Sequence, residues 1–204
     1  MTSLDDLTWP RRTPRLEIRR ITAADADAMF DYRSLEEVAR WEGSLPTDRH
    51  TFVGDMTEGD KAPYNLAVLA DGTLVGDLYC HVEDGWAQRE VATRARGVQA
   101  EIGWTIAPAF QGRGFATEAA GELLALCFGA TPEGLGVRRV HADLFAPNQA
   151  SARLCERIGM RREAHHVRDA LQRSGEWMDT YVYGLLAEEW RSADRRTTHA
   201  PFGG

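Results

Sequence analysis

From Arg15 to Ile21 the chain alternates, with Leu16, Ile18 and Ile21 apolar against Glu17, Arg19 and Arg20, the period of a half-buried strand. Thr22 then caps a helix, with Asp25 three residues on in the place a capping box gives to Glu. Ala26, Met29, Phe30, Leu35, Val38 and Trp41 recur at roughly helical spacing and predict one helix, which Gly43 and Pro46 stop. A second helix is expected from about Thr47 or Asp48 to Gly59-Asp60. Tyr64–Ala70 and Leu74–Val82, joined through Asp71-Gly72, carry the strongest hairpin signal in the chain. Glu83–Gln99 is polar, mixed in charge and weakly patterned, and connections of that length in compact domains are often functional or mobile.

The next segment, Glu101 to Ala120, reads EIGWTIAPAFQGRGFATEAA. Ile102, Trp104 and Ile106 alternate with Gly103 and Thr105 as a strand, which turns at Pro108 and passes through Gln111-Gly112-Arg113-Gly114 into an alanine-rich helix. That helix has a buried stripe of Ala116, Ala119, Ala120, Leu123, Leu124, Cys127 and Phe128. After a break at Gly129–Gly136, Val137–Phe145 is a strand and Asn148–Ile158 a helix with Gly159 at its C′ position. Arg161–Arg168 and Glu176–Leu186 are two strands, expected to pair antiparallel. Glu188-Glu189 starts a solvated terminal helix, and Arg191–Gly204, without periodicity, is expected to be a flexible tail. Helices after two central strands, with antiparallel strands at both ends, indicate an α+β sandwich around a mixed sheet. One domain is expected over residues 14–190, preceded by an arm at residues 1–13.

Composition changes this picture little. With 204 residues, 43% hydrophobic and 27% charged, the chain fits a single globular domain. A formal net charge of −7 argues against a non-specific nucleic-acid binder and is compatible with a cationic substrate such as an amine. Cys80, Cys127 and Cys155 are odd in number and widely spaced, which is no disulfide framework and fits a cytoplasmic protein. No apolar run reaches the ~20 residues of a membrane span, and the N-terminus has no signal-peptide pattern, so no membrane partner is expected.

Chemistry concentrates in the strand–loop–helix. A glycine-bearing loop that opens a helix offers bare N–H groups to an anion, and Arg113 adds a cationic fork. The loop lacks the lysine and length of a P-loop and the third glycine of GxGxxG, since position 117 is Thr. Loop composition alone leaves an ordinary strand–helix turn equally open. His165-His166 has no Cys/His spacing to complete a metal site, and the tryptophans read as core or rim, with Trp86 in the polar connection the one to watch for substrate contact.

Gln111-Gly112-Arg113-Gly114-Phe115-Ala116, after a Glu-Ile-Gly-Trp strand, resembles the acetyl-CoA-binding motif of the GNAT acyltransferases, Gln/Arg-x-x-Gly-x-Gly/Ala. Asn148 to Met160 resembles the N-x-x-S-x-R-x-x-E-K/R-x-G-F helix of the RimJ/RimL-like branch, and PRLEIRRITAADADAMF and GEWMDTYVYGLLAEEW match its ends, so that the likeness spans about Pro14 to Trp190. It implies a mixed, mostly antiparallel central sheet and an N-acetyltransferase that uses acetyl-CoA and no metal. The acceptor would be a primary amine, either a protein N-terminus or a small molecule, and many relatives are homodimers. Gln111, Gly112, Arg113, Gly114, Phe115, Ala116 and Thr117 would form the pyrophosphate loop. Trp104, Thr105 and Ile106 would pair with the pantetheine arm along a strand that splays from its neighbour, and Asn148 would contact the arm while also serving as a helix N-cap.

Glu101 falls where many family members keep the carboxylate that deprotonates the amine; the alternative is a solvated strand residue. The oxyanion would meet a backbone N–H near Ile106. Many members have a tyrosine where this chain has Cys155, so Ser151 is favoured to hydrogen-bond the departing sulfur. The missing tyrosine also motivates a rival reading, a non-catalytic acyl-CoA-binding module.

Overall fold

The computed structural model describes residues 3–198. Eight strands form one sheet: β1 (Arg11–Arg12), β2 (Glu17–Arg20), β3 (Asn65–Ala70), β4 (Thr73–Glu83), β5 (Gln99–Ile106), β6 (Arg139–Phe145), β7 (Arg161–Leu171) and β8 (Trp177–Leu186). Their order is β1-β2-β3-β4-β5-β6-β8-β7, and every pairing is antiparallel except β5 with β6. The helices are α1 (Ala23–Arg33), α2 (Glu36–Ala39), α3 (Arg49–Thr57), α4 (Phe115–Phe128), α5 (Gln149–Arg157) and α6 (Ala187–Thr198).

The helices lie on both faces because the strands alternate. Leu78 and Cys80 of β4 and Ala100 and Ile102 of β5 join the core built with Leu123, Leu124 and Cys127 of α4 and Leu154 and Cys155 of α5. Asp77 and Thr105, one residue out of phase, turn to the other face, where Met29 and Tyr32 of α1 pack with Phe52 and Met56 of α3. Leu4 and Leu7 of the N-terminal arm are buried in the first core, and β1 adds an edge to β2.

Local chemistry sets the joints. Thr22 and Asp25 form the reciprocal capping box, and Arg19 grips the same Asp25 carboxylate at 2.6 and 3.1 Å. Asp71 and Gly72, both at positive φ (47° and 76°), make the tight turn of the β3–β4 hairpin. Gly159, at φ 89°, ends α5 as expected.

One expectation is corrected. The helix expected from Thr22 to Trp41 is two, because the chain leaves the helical region at Leu35 (ψ 131°), which starts the short α2. The apolar spacing continued across that break because Val38 and Ala39 are buried as well. The last helix, α6, runs to Thr198 and so covers part of the expected C-terminal tail, Arg191–Gly204. Residues 199–204 of that tail lie outside the described residues.

Beneath α1 lies a buried charge network. Asp77 is fully buried, accepts a hydrogen bond from the Tyr32 hydroxyl at 2.5 Å and pairs with Arg33. Arg33 also reaches Glu42 at 2.5 Å, and Glu42 accepts from Thr105 Oγ1 at 2.7 Å. Burial pushes the Asp77 carboxyl up, against the pull of Arg33, so the cation is what makes the charge tolerable there. Arg33→Met is therefore expected to cost about 3–5 kcal/mol. In a chain of this size that is a fall of about 10 °C in Tm by calorimetry. The deficit should shrink as pH falls, because a stranded Asp77 would have a folded-state pKa above its unfolded value and protonation would relieve it.

Candidate active site

Strands β5 and β6 pair only at Gln99, Glu101 and the residue between them, against Arg139 to His141. Beyond that point β5 stays paired with β4 as far as Ile106, and β6 stays paired with β8 as far as Phe145. The two therefore part like the arms of a V, and from Ile102 to Ile106 one edge of β5 has no strand beside it. Such an edge is a row of unpaired backbone donors and acceptors. A cavity of about 310 Å³ occupies the split. Ile102, Gly103 and Trp104 line it from β5, Ala142 to Phe145 from β6, Asn148 and Ser151 from α5, Trp41 to Gly43 from the loop after α2, and Ala170 and Thr180 from the β7–β8 hairpin. A wider groove of about 620 Å³ at Arg168, Glu176 and Trp177 is open surface on the outer hairpin and touches none of the residues singled out in the sequence.

The loop after β5 forms a cradle at the start of α4. Gly112 and Gly114 both have positive φ (74° and 80°), and Gly114 is the N-cap of α4 with no side-chain cap. The first intrahelical bond of α4 is from Glu118 N to Gly114 O at 3.2 Å, so the N–H groups of Phe115, Ala116 and Thr117 have no partner within the helix. Three cations surround this cradle in an otherwise acidic chain. Arg113 belongs to the loop, Arg157 of α5 donates to Thr117 Oγ1 at 3.1 Å, and Arg15 donates to the Arg113 carbonyl at 2.9 Å. Arg15 is held by Glu118, which takes its Nε at 2.6 Å and its backbone N–H at 2.9 Å. Gln111 bonds the Ile106 carbonyl at 3.0 Å and so locks the loop to the end of β5.

Ser151 and Asn148 sit over the split from α5. The Asn148 side chain accepts from Ser151 N at 3.2 Å, the N-cap role, and both residues line the cavity. Cys155, one turn further on, is fully buried in the core, and burial pushes its thiol up to about 12. Glu101 lies at the point where the strands part. It is half-buried, and its carboxyl is pushed up by burial first and then by Asp143, with His141 pulling the other way.

Set beside known proteins, this architecture finds a family. A family model described as the acetyltransferase (GNAT) domain matches residues 15–161. The chain belongs to the GNAT family. It is 29% identical over 181 residues to the uncharacterized N-acetyltransferase YnaD of Bacillus subtilis, covering 87% of this chain and 97% of that one. The structure of a GNAT-family acetyltransferase from Bacillus anthracis superposes with a TM-score of 0.73 at 26% identity, covering 88% of this chain and 99% of that chain. The fold is also shared, at 15% identity and a TM-score of 0.64, with RimL, a ribosomal L7/L12 α-N-protein acetyltransferase solved in complex with coenzyme A, over 85% and 95% of the two chains. The protein is thus an acyltransferase enzyme with the mixed, mostly antiparallel GNAT sheet.

In this GNAT protein the sequence-derived residues fall into two groups. Trp104, Asn148 and Ser151 meet at the cavity, and Gln111 to Thr117 form the cradle beyond the far end of β5. The Thr105 side chain is committed to Glu42 on the other face, which leaves only its backbone for the split. Phe115 packs against the core with the Arg15 guanidinium 5.1 Å from its ring centroid. Trp86 is 92% exposed and does not line the cavity. Sequence reasoning missed Arg15 and Arg157, whose nearness to the loop arises only from tertiary packing. It also missed His81, His141 and Asp143, although alternating polar positions on central strands were a signal available to it. Among the described residues no group of three or more His, Cys, Asp and Glu side chains could hold a metal, and no helix is long and apolar enough to cross a membrane.

Proposed function

We propose that the protein moves an acetyl group from acetyl-CoA to a primary amine by direct transfer in a ternary complex. The acceptor would be a protein N-terminus, in the RimJ/RimL manner, or a small amine. The observation that carries this reading is the parting of β5 from β6 after Glu101, with Asn148 and Ser151 at its mouth and a cationic cradle beyond its end. The donor fits as a thread. Its pyrophosphate would rest on the N–H groups of residues 112–117, with Arg15, Arg113 and Arg157 around it. Its pantetheine arm would add a pseudo-strand to the free edge of β5.

The reaction forms a C–N bond and breaks a C–S bond, so the amine must lose a proton and the sulfur must be stabilised. Glu101 takes the amine's proton, directly or through a water. A backbone N–H in the Ile102–Ile106 stretch meets the carbonyl oxygen as charge develops there. The Ser151 hydroxyl, which has no hydrogen-bond partner among the described residues, is free to donate to the departing sulfur. A cytoplasmic homodimer is the setting that agrees with the reduced, buried cysteines and with the resemblance.

Release of CoA, measured against a panel of small amines and N-terminal peptides, tests the proposal. Turnover with at least one primary amine is expected; tight acetyl-CoA binding with no turnover on any acceptor would instead favour a sensor. In the same assay Ser151→Ala is expected to lower kcat about 10-fold or more. Cys155→Ser should leave kcat within about twofold at a modest cost in stability, and the reverse ranking would transfer the role to the thiol.

A further inference from the structure

The face of the sheet that carries Glu101 holds a row of titratable side chains that the chemistry above leaves unused. The register sets His81 of β4 opposite Glu101, and Glu101 beside His141 of β6. With strands about 4.8 Å apart, the three side chains stand next to one another on one face. Glu83 and Asp143, two residues further along β4 and β6, share that face. Glu83 Oε1 lies 2.8 Å from His141 Nε2, and Asp143 Oδ1 lies 3.4 Å from His141 Nδ1. A ring with a carboxylate at each nitrogen satisfies both only by donating from both, which makes it an imidazolium. The His141 side chain is only 14% exposed, so solvent does little to screen that charge.

The other groups facing this row are accounted for. On β4, Tyr79 neighbours Glu101 and has its hydroxyl pushed up to about 12, by burial first and then by Glu101, while Tyr64 packs edge-on to His81 at 4.4 Å. On β8 the position opposite His141 is Gly184, and Glu163 of β7 fills the space above it. The Glu163 carboxylate is spent on Arg139 at 2.5 Å and Arg161 at 2.7 Å. That leaves His141 as the cation that faces Glu101 from β6, while the Glu101 carboxylate makes no hydrogen bond among the described residues.

We propose that His141, clamped as an imidazolium between Glu83 and Asp143, is a positioning residue that holds the neighbouring Glu101 in its carboxylate form. The proposal rests on the reading of Glu101 as the base. Burial and two nearby carboxylates all favour a proton on Glu101, and a protonated Glu101 takes none from the amine. His141 opposes them, and its own proton is in turn secured by Asp143 and Glu83.

NMR titration of the intact protein tests this without an acceptor, by following the Glu101 carboxyl carbon and the His141 ring nitrogens. In the wild type, His141 is expected to show both nitrogens protonated at pH 7. His141→Gln should move the Glu101 midpoint upward by about one pH unit. Glu101→Gln should reciprocally lower the His141 midpoint, as linkage requires, and this second variant decides the matter alone if the first does not fold. A neutral, single-tautomer His141 at pH 7, or midpoints that neither variant moves, overturns the proposal. Failure of Glu101 as the base would show separately, as full turnover by Glu101→Gln.

Discussion

Replacing Gly114 by glutamate is expected to lower the affinity for acetyl-CoA at least about 100-fold, to beyond detection by calorimetry. Gly114 sits at φ 80° as the N-cap of α4, a conformation that a residue with a Cβ adopts at a cost of about 1–2 kcal/mol. Its missing side chain faces the proposed anion site: a Cβ there would lie 3.3 Å from Nη2 of Arg15, one of the three cations around the cradle. A carboxylate at this position would capture Arg15 and set a negative charge where the pyrophosphate must rest. Backbone strain alone predicts a loss of at most about 30-fold, so Gly114→Ala is the control that separates strain from charge. Both variants should fold, since Gly114 lies on an exposed turn. Wild-type affinity in Gly114→Glu would remove the cradle from this account.

Glu101→Gln is expected to lower the rate by about 100-fold or more at pH values below the acceptor's pKa. There the amine arrives as an ammonium and cannot attack until a base removes its proton. Above that pKa the amine is already neutral and the deficit should shrink. The wild-type profile should also fall on the acid side as Glu101 itself becomes protonated. Because the Glu101 carboxyl is pushed up by burial, that limb should lie above the ordinary glutamate range, and Glu101→Gln should lack it. A variant profile parallel to the wild type at every pH would assign the proton to another group.

Much of the fold was legible in local pattern. Asp71-Gly72 dictates its turn through two positive φ angles, Thr22 and Asp25 form their box because both partners lie within one turn, and Gly159 ends α5 for want of a Cβ. The break at Leu35 was not legible, because burial of Val38 and Ala39 keeps the apolar spacing of an unbroken helix across it. The cradle and the Asn148 helix were visible as motifs, and a motif names a loop without naming its neighbours. Arg15 reaches that loop across 98 residues of sequence, through an ion pair to Glu118 that no local pattern announces. The parting of β5 from β6 is a matter of register between strands about 40 residues apart, and alternation along either strand is silent about it. His81, Glu101, His141 and Asp143 form a face only once that register is known, although polar residues at every second position of central strands already hinted at something other than a packed core.

The most direct test of the central claim is a structure of the protein with acetyl-CoA bound. The account predicts the pyrophosphate on the N–H groups of residues 112–117, the pantetheine hydrogen-bonded along the free edge of β5, and the thioester in the split between Ser151 and the Glu101 end. A pyrophosphate seated elsewhere, or a β5 edge left unpaired with the donor bound, would contradict it.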